Sequence, residues 1–170
     1  MIRSILLLGV LAALANGQAA KTVWGDMAAR QSQIADNLKK SAAKMPEASW
    51  DFKPTHEVMS FSAFLAHLAD ANYGICSAAI GEKSPSPGVA KTMKGKEEIS
   101  AALGEALAYC DKAFASLTNE NASTPVKVFG MDLTRAGALQ LNTAHDFEHY
   151  GNLVTYLRIR GFVPPSSERR

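Results

Sequence analysis

Residues 97–117 read EEISAALGEALAYCDKAFASL, and this stretch decides the fold. Ile99, Leu103, Ala106, Cys110, Phe114 and Leu117 follow one another at intervals of four, three, four, four and three. That spacing draws one apolar stripe along an α-helix and cannot alternate across a strand. Glu97 and Glu98 stand where the positive end of the helix dipole favours acids.

The same period recurs on both sides. Upstream, Ser60 precedes FSAFLAHLADANYGICSAAI (61–80), where Phe61, Phe64, Leu65, Leu68, Asn72 and Cys76 fall on one side and Gly81 supplies a stop. A first helix spans about Val23 to Lys44, with Trp24, Met27, Ile34, Leu38 and Ala42 in register, and Pro46 ends it. Downstream, a last helix starts near Thr134 and runs to Arg160, stopped by Gly161, Pro164 and Pro165. Residues 82–96, EKSPSPGVAKTMKGK, form a loop too long for a tight hairpin and suited to a crossover between the second and third helices. Around Gly130, VKVFGMDL (126–133) alternates like a strand, which allows a short β-excursion before the last helix. The expected fold class is all-α: a four-helix bundle with one long crossover.

Composition fits one globular domain. The 170 residues are 47% hydrophobic and 20% charged, with a formal charge of +2, so no charge excess argues for nucleic acid or an anionic membrane. Residues 1–20 stand apart. Arg3 precedes ILLLGVLAALA (5–15), an apolar run shorter than the ~20 residues a membrane span needs. Small residues at cleavage spacing follow, Ala13 and Ala15 or Gly17 and Ala19. This is the pattern of a secretory signal peptide, or of an N-terminal anchor if uncleaved. It places the mature domain at 21–170, in the periplasm or outside the cell, with no stable membrane insertion after cleavage. Cys76 and Cys110 match no zinc spacing; in an exported chain they pair with each other or remain buried thiols.

Chemistry concentrates in TAHDFEHYGN (143–152). His145 and His149, four apart, share a helix face with Cβ atoms ~6 Å apart, close enough for two imidazoles to meet one ion. Two ligands leave a geometry undefined, and a hydrolytic or thiol-activating centre usually has three with an open position. His67 is the candidate third, set between Leu65 and Leu68 on a mostly apolar helix. If the second and last helices run antiparallel, the three histidines stand at comparable depth. His67, Ala71 and Gly74 make a stripe of small residues that leaves room over the ring for a substrate. The alternative is an ordinary polar helix face. His56, in KPTHEV (53–58), reads as solvated. Asp70, Asp146 and Glu148 flank the histidines and are candidates to orient an imidazole or serve as general base, or are plain surface charges. Glu148, three residues after His145, is the best placed. Tyr150, Tyr156 and Asn152 offer further polar groups to a pocket, or pack. Imidazole ligands favour a divalent transition metal such as Zn, Ni or Fe over Mg or Ca.

FSAFLAHLADANYG (61–74), WDFKPTHEVMSF (50–61) and NTAHDFEHYGNLVTYLRIRGFVPP (142–165) together resemble the DinB-like, damage-inducible family of four-helix bundles. Tyr150 and Asn152 replace the Arg and Gln more common there. The resemblance implies up-down-down-up topology, a homodimer, and a divalent metal held by His67, His145 and His149. It implies a small-molecule substrate and no nucleic-acid partner. Relatives include thiol S-transferases and a thiol-dependent isomerase, so a metal-dependent hydrolase or thiol transferase is the expected activity. A non-catalytic bundle with a structural or vestigial metal site is the alternative. Export would separate this chain from the cytosolic thiols of such relatives. In that topology the second and third helices run parallel, which sets Cys76 and Cys110 level and favours a disulfide within the ~7 Å Cα limit.

Overall fold

A computed structural model describes residues 22–168; residues 1–20, where a signal peptide is expected, lie outside the described residues. The chain forms α1 (Val23–Lys44), α2 (Phe61–Ile80), a one-turn α3 (Val89–Thr92), α4 (Lys96–Ala115), a hairpin of β1 (Pro125–Val128) and β2 (Met131–Thr134), and α5 (Arg135–Ile159). The expected helices and the β-excursion are therefore present, with ends shifted by a residue or two. Local chemistry sets those ends. Side-chain oxygens of Thr22, Ser60 and Thr134 accept the backbone N–H of Gly25, Ala63 and Gly137, which cap α1, α2 and α5. Gly81 closes α2 at φ 77°, a left-handed turn that a β-carbon would oppose.

Contacts between helix ends fix the topology. Trp24 at the start of α1 donates to Asn119 just past α4, and Lys96 at the start of α4 donates to the Met45 carbonyl that follows α1. These two helices are antiparallel. Tyr156 late in α5 donates to the Met59 carbonyl that precedes α2, so α5 runs against α2. Cys76 and Cys110, late in α2 and α4, are joined by a disulfide with Cα atoms 5.3 Å apart, and Ser62 and Ala63 early in α2 line one pocket with Ile99 early in α4, so α2 and α4 run parallel. The bundle is up-down-down-up. Ile34, Leu38, Leu65, Leu68, Leu103, Leu107, Leu153 and Leu157 fill its centre.

Parallel α2 and α4 need the long connection of residues 81–95, and Asp70 holds it down. Its carboxylate accepts from the backbone N–H of Val89 (2.8 Å) and Ala90 (2.9 Å) and from the Ser86 hydroxyl. Asp70 is thus committed to the crossover and not to the histidines.

The hairpin pairs Val126 with Leu133 and turns through Phe129 (φ 48°) and Gly130 (φ 85°). Consecutive positive φ values are what a two-residue hairpin turn demands, and Asn or Gly usually fills the first position. Phe there costs on the order of 1–2 kcal/mol. Phe129 is 70% exposed, and its ring lies over Gly74 of α2. A β-carbon on Gly74 would meet the ring tip at 3.3 Å, so the space expected above the His67–Gly74 stripe is partly taken by this phenyl group. The ring is free to swing outward, whereas helical Gly costs up to ~1 kcal/mol relative to Ala. Gly74→Ala is therefore expected to raise the unfolding free energy by several tenths to ~1 kcal/mol in urea titrations. A loss of that size would mean that the ring's seat matters more than the helix.

Candidate metal centre

His67 stands on the second turn of α2, and His145 and His149 on successive turns of α5. Because the helices are antiparallel neighbours, the three rings meet. Nε2 of His145 lies 3.1 Å from Nε2 of His67 and 3.0 Å from Nε2 of His149. The ligand nitrogens all fall within 4.8 Å of one another, and no carboxylate or thiolate joins the group among the described residues. Phe64, one turn before His67, packs its ring 5.3 Å from that of His149 and edge-on to Tyr156.

The rings are half-buried, and burial sets the charge of the two on α5. Burial, then the neighbouring His149 and His67, pushes the His145 pKa down to about 4 against the opposing pull of Glu148. Burial, then His67, lowers that of His149. Both are neutral at physiological pH and offer lone pairs, the form a metal requires. Nitrogens bound to one ion at ~2.0–2.1 Å lie about 3–3.4 Å apart, which the two short separations match. The donor set fits a divalent transition ion, and three protein ligands leave a further position open.

The flanking acids part company. Glu148 is exposed beside the ring pair and close enough for its charge to be felt by both histidines. Asp146 is 0% exposed and turned into the bundle, so it bonds no imidazole directly and does not lie on the surface. Its carboxylate accepts from Asn72 Nδ2 (2.7 Å), Gln31 Nε2 (2.8 Å) and Asn142 Nδ2 (3.4 Å). Thr143 donates in turn to Gln31 Oε1 at 2.9 Å. This network was missed in the sequence, although Asn72, a polar residue in the apolar stripe of α2, was its trace. The remaining polar candidates have structural partners. Tyr150 accepts from the Ser166 N–H, Tyr156 donates to Met59, and Asn152 donates to the Glu148 carbonyl. His56 is exposed, beside Glu57.

The pKa shifts predict opposing pH effects on the metal-free fold. Histidines with lowered values contribute stability that is present above their ordinary 6.5 and lost as pH falls, through about 4 for His145. Asp146, raised by burial to about 6 from 3.8, does the reverse: its protonation stabilises the fold at low pH, and that gain is lost as pH rises through 6. Stability should therefore fall only gently from pH 6.5 to 4. In Asp146→Asn, which takes up no proton, the fall should steepen by on the order of 2 kcal/mol in urea titrations. An unchanged slope would show that Asp146 is not titrating in this range.

Fold and site together define an up-down-down-up helical bundle with a three-histidine cluster able to hold a metal ion. The DinB superfamily model matches residues 31–153, a span that includes all three histidines, and the chain belongs to that superfamily. Among solved structures, a DinB-like protein of Bacillus subtilis is 18% identical, with a TM-score of 0.67, over 85% of this chain and 99% of that one. A DinB-like protein of Bacillus cereus is 16% identical, with a TM-score of 0.68, over 86% and 98%. The mycothiol-dependent maleylpyruvate isomerase is 16% identical with a TM-score of 0.65; the match covers 78% of this chain and 61% of the isomerase. No curated protein matches the chain. At these identities the likeness shows the fold.

Proposed function

We propose that this chain is an exported, metal-dependent enzyme of hydrolase or thiol-transferase type acting on a small molecule. The observation that carries the reading is the convergence of His67, His145 and His149 Nε2 on one point, with no fourth protein ligand in the group among the described residues. A divalent ion held there would supply Lewis acidity to a water or thiol. His67, His145 and His149 would hold it through their ring nitrogens. Phe64 keeps the His149 ring in place from behind. Glu148, at the exposed rim, takes up through its carboxylate the proton released by the substrate or water. The similarity to a thiol-dependent isomerase supports a thiol among the substrates. The Cys76–Cys110 disulfide supports an oxidising compartment, in line with a cleaved leader.

Metal analysis of freshly purified protein, followed by cobalt substitution, tests this. We expect one equivalent of transition metal, and a cobalt spectrum that changes when 2-mercaptoethanol is added. A spectrum indifferent to added thiol and to azide would mean a closed, structural centre. Mass spectrometry of the exported protein should find its first residue between Asn16 and Lys21; an intact Met1 would count against export by cleavage.

A further inference from the structure

Histidines that bind metals usually donate their second ring N–H to a carboxylate or carbonyl, which fixes the ring. Here Nδ1 of His145 and Nδ1 of His149 are both buried and have no hydrogen-bond partner among the described residues. Something other than a direct bond must therefore aim the α5 rings at His67. The neighbouring residue on α5 offers the means. Side chains one residue apart on a helix diverge by about 100°, so the direction of Asp146 dictates that of His145.

Asp146 is tied to three helices at once: to Gln31 of α1, to Asn72 of α2 and, within α5, to Asn142. Asn72 is itself fixed, donating also to the Leu68 carbonyl (2.9 Å) and accepting from Asn142 (3.0 Å). Thus α2 and α5 are joined at two levels, by His67 with His145 and, about 7.5 Å further along α2, by Asn72 with Asp146. Two ties set rotation and register together. Turning His145 off the cluster would strip a fully buried carboxylate of its donors, a change the interior strongly resists.

We propose that Asp146 and Asn72 are positioning residues of the histidine centre, a buried carboxylate–amide clamp that aims His145 and His149 at His67 through the α5 backbone. The inference rests on the metal reading for its consequence, but the aiming itself is a property of the metal-free protein. The test compares Asn72→Ala with Leu38→Ala, a core truncation on α1. Two quantities are read: the cobalt dissociation constant with its d–d spectrum, and the NOE between the His67 and His145 ring protons without metal. Asn72→Ala is expected to weaken cobalt binding about 10–100-fold, alter the spectrum and lose the NOE. Leu38→Ala is expected to lower the melting temperature yet keep both. The proposal is overturned if Asn72→Ala keeps the NOE and an affinity within about 3-fold of the parent, or if Leu38→Ala loses both equally. If Asn72→Ala does not fold, Gln31→Ala takes its place with the same outcomes. A parent that binds no cobalt would defeat the metal reading alone, and the ring NOE would then decide this one.

Discussion

Alanine at position 145 is expected to abolish stoichiometric binding of a divalent transition metal. His145 is the middle member of the cluster: its Nε2 is the atom within 3.1 Å of both other ring nitrogens. Removing it leaves His67 and His149 on different helices as a pair. Loss of a mere supporting contact around a metal costs about 10–100-fold in affinity, so loss of the central ligand should exceed 100-fold. The variant should fold, since the ring is only half-buried and its helix is capped and packed independently. His56→Ala, which changes an exposed loop residue, should bind as the parent does. Competition with a chromogenic chelator reads both. Parent-like affinity in His145→Ala would remove this residue from the centre.

The second large effect concerns the covalent tie between α2 and α4. Cys76 and Cys110 are fully buried, and their bond closes a loop with a sequence separation of 34. Loop entropy assigns such a cross-link about 4 kcal/mol, through restriction of the unfolded chain. Cys76→Ala combined with Cys110→Ala should lower the melting temperature by roughly 10 °C. The crossover held by Asp70 also lies inside that loop, so its ordering entropy is no longer reduced by the link. Two titratable thiols in the denatured, unreduced protein, or identical melting of parent and double variant, would contradict the assignment.

Much of this architecture was readable because punctuation residues sat where periodicity stopped. Pro46, Ser60, Gly81, Thr134 and Gly161 mark helix ends in the sequence and in the structure alike. The histidine triple was readable because His67 interrupts an apolar helix and the other two repeat at one turn. The roles of the acids were not. Asp70, Asp146 and Glu148 are all candidates in sequence, Glu148 the best placed, yet one pins a crossover, one is buried among amides and one faces water. Such choices depend on which helix lies opposite, and α5 hides its inner face by placing Asn142 and Asp146 among Ala138, Leu139 and Leu153. Phe129 is a similar case: nothing local favours a phenyl group at φ 48°, and its seat on Gly74 is purely tertiary.

The order of residues along the chain also fixes an order of events. Everything needed to join Cys76 to Cys110 has been synthesised once the peptide reaches residue 110, whereas the last two imidazoles arrive with residues 145 and 149. A nascent chain emerging N-terminus first can therefore be oxidatively locked before it owns a chelating pocket. Any ion held by the three histidines can be captured only after residue 149 has been made, when the Cys76–Cys110 pair is already complete.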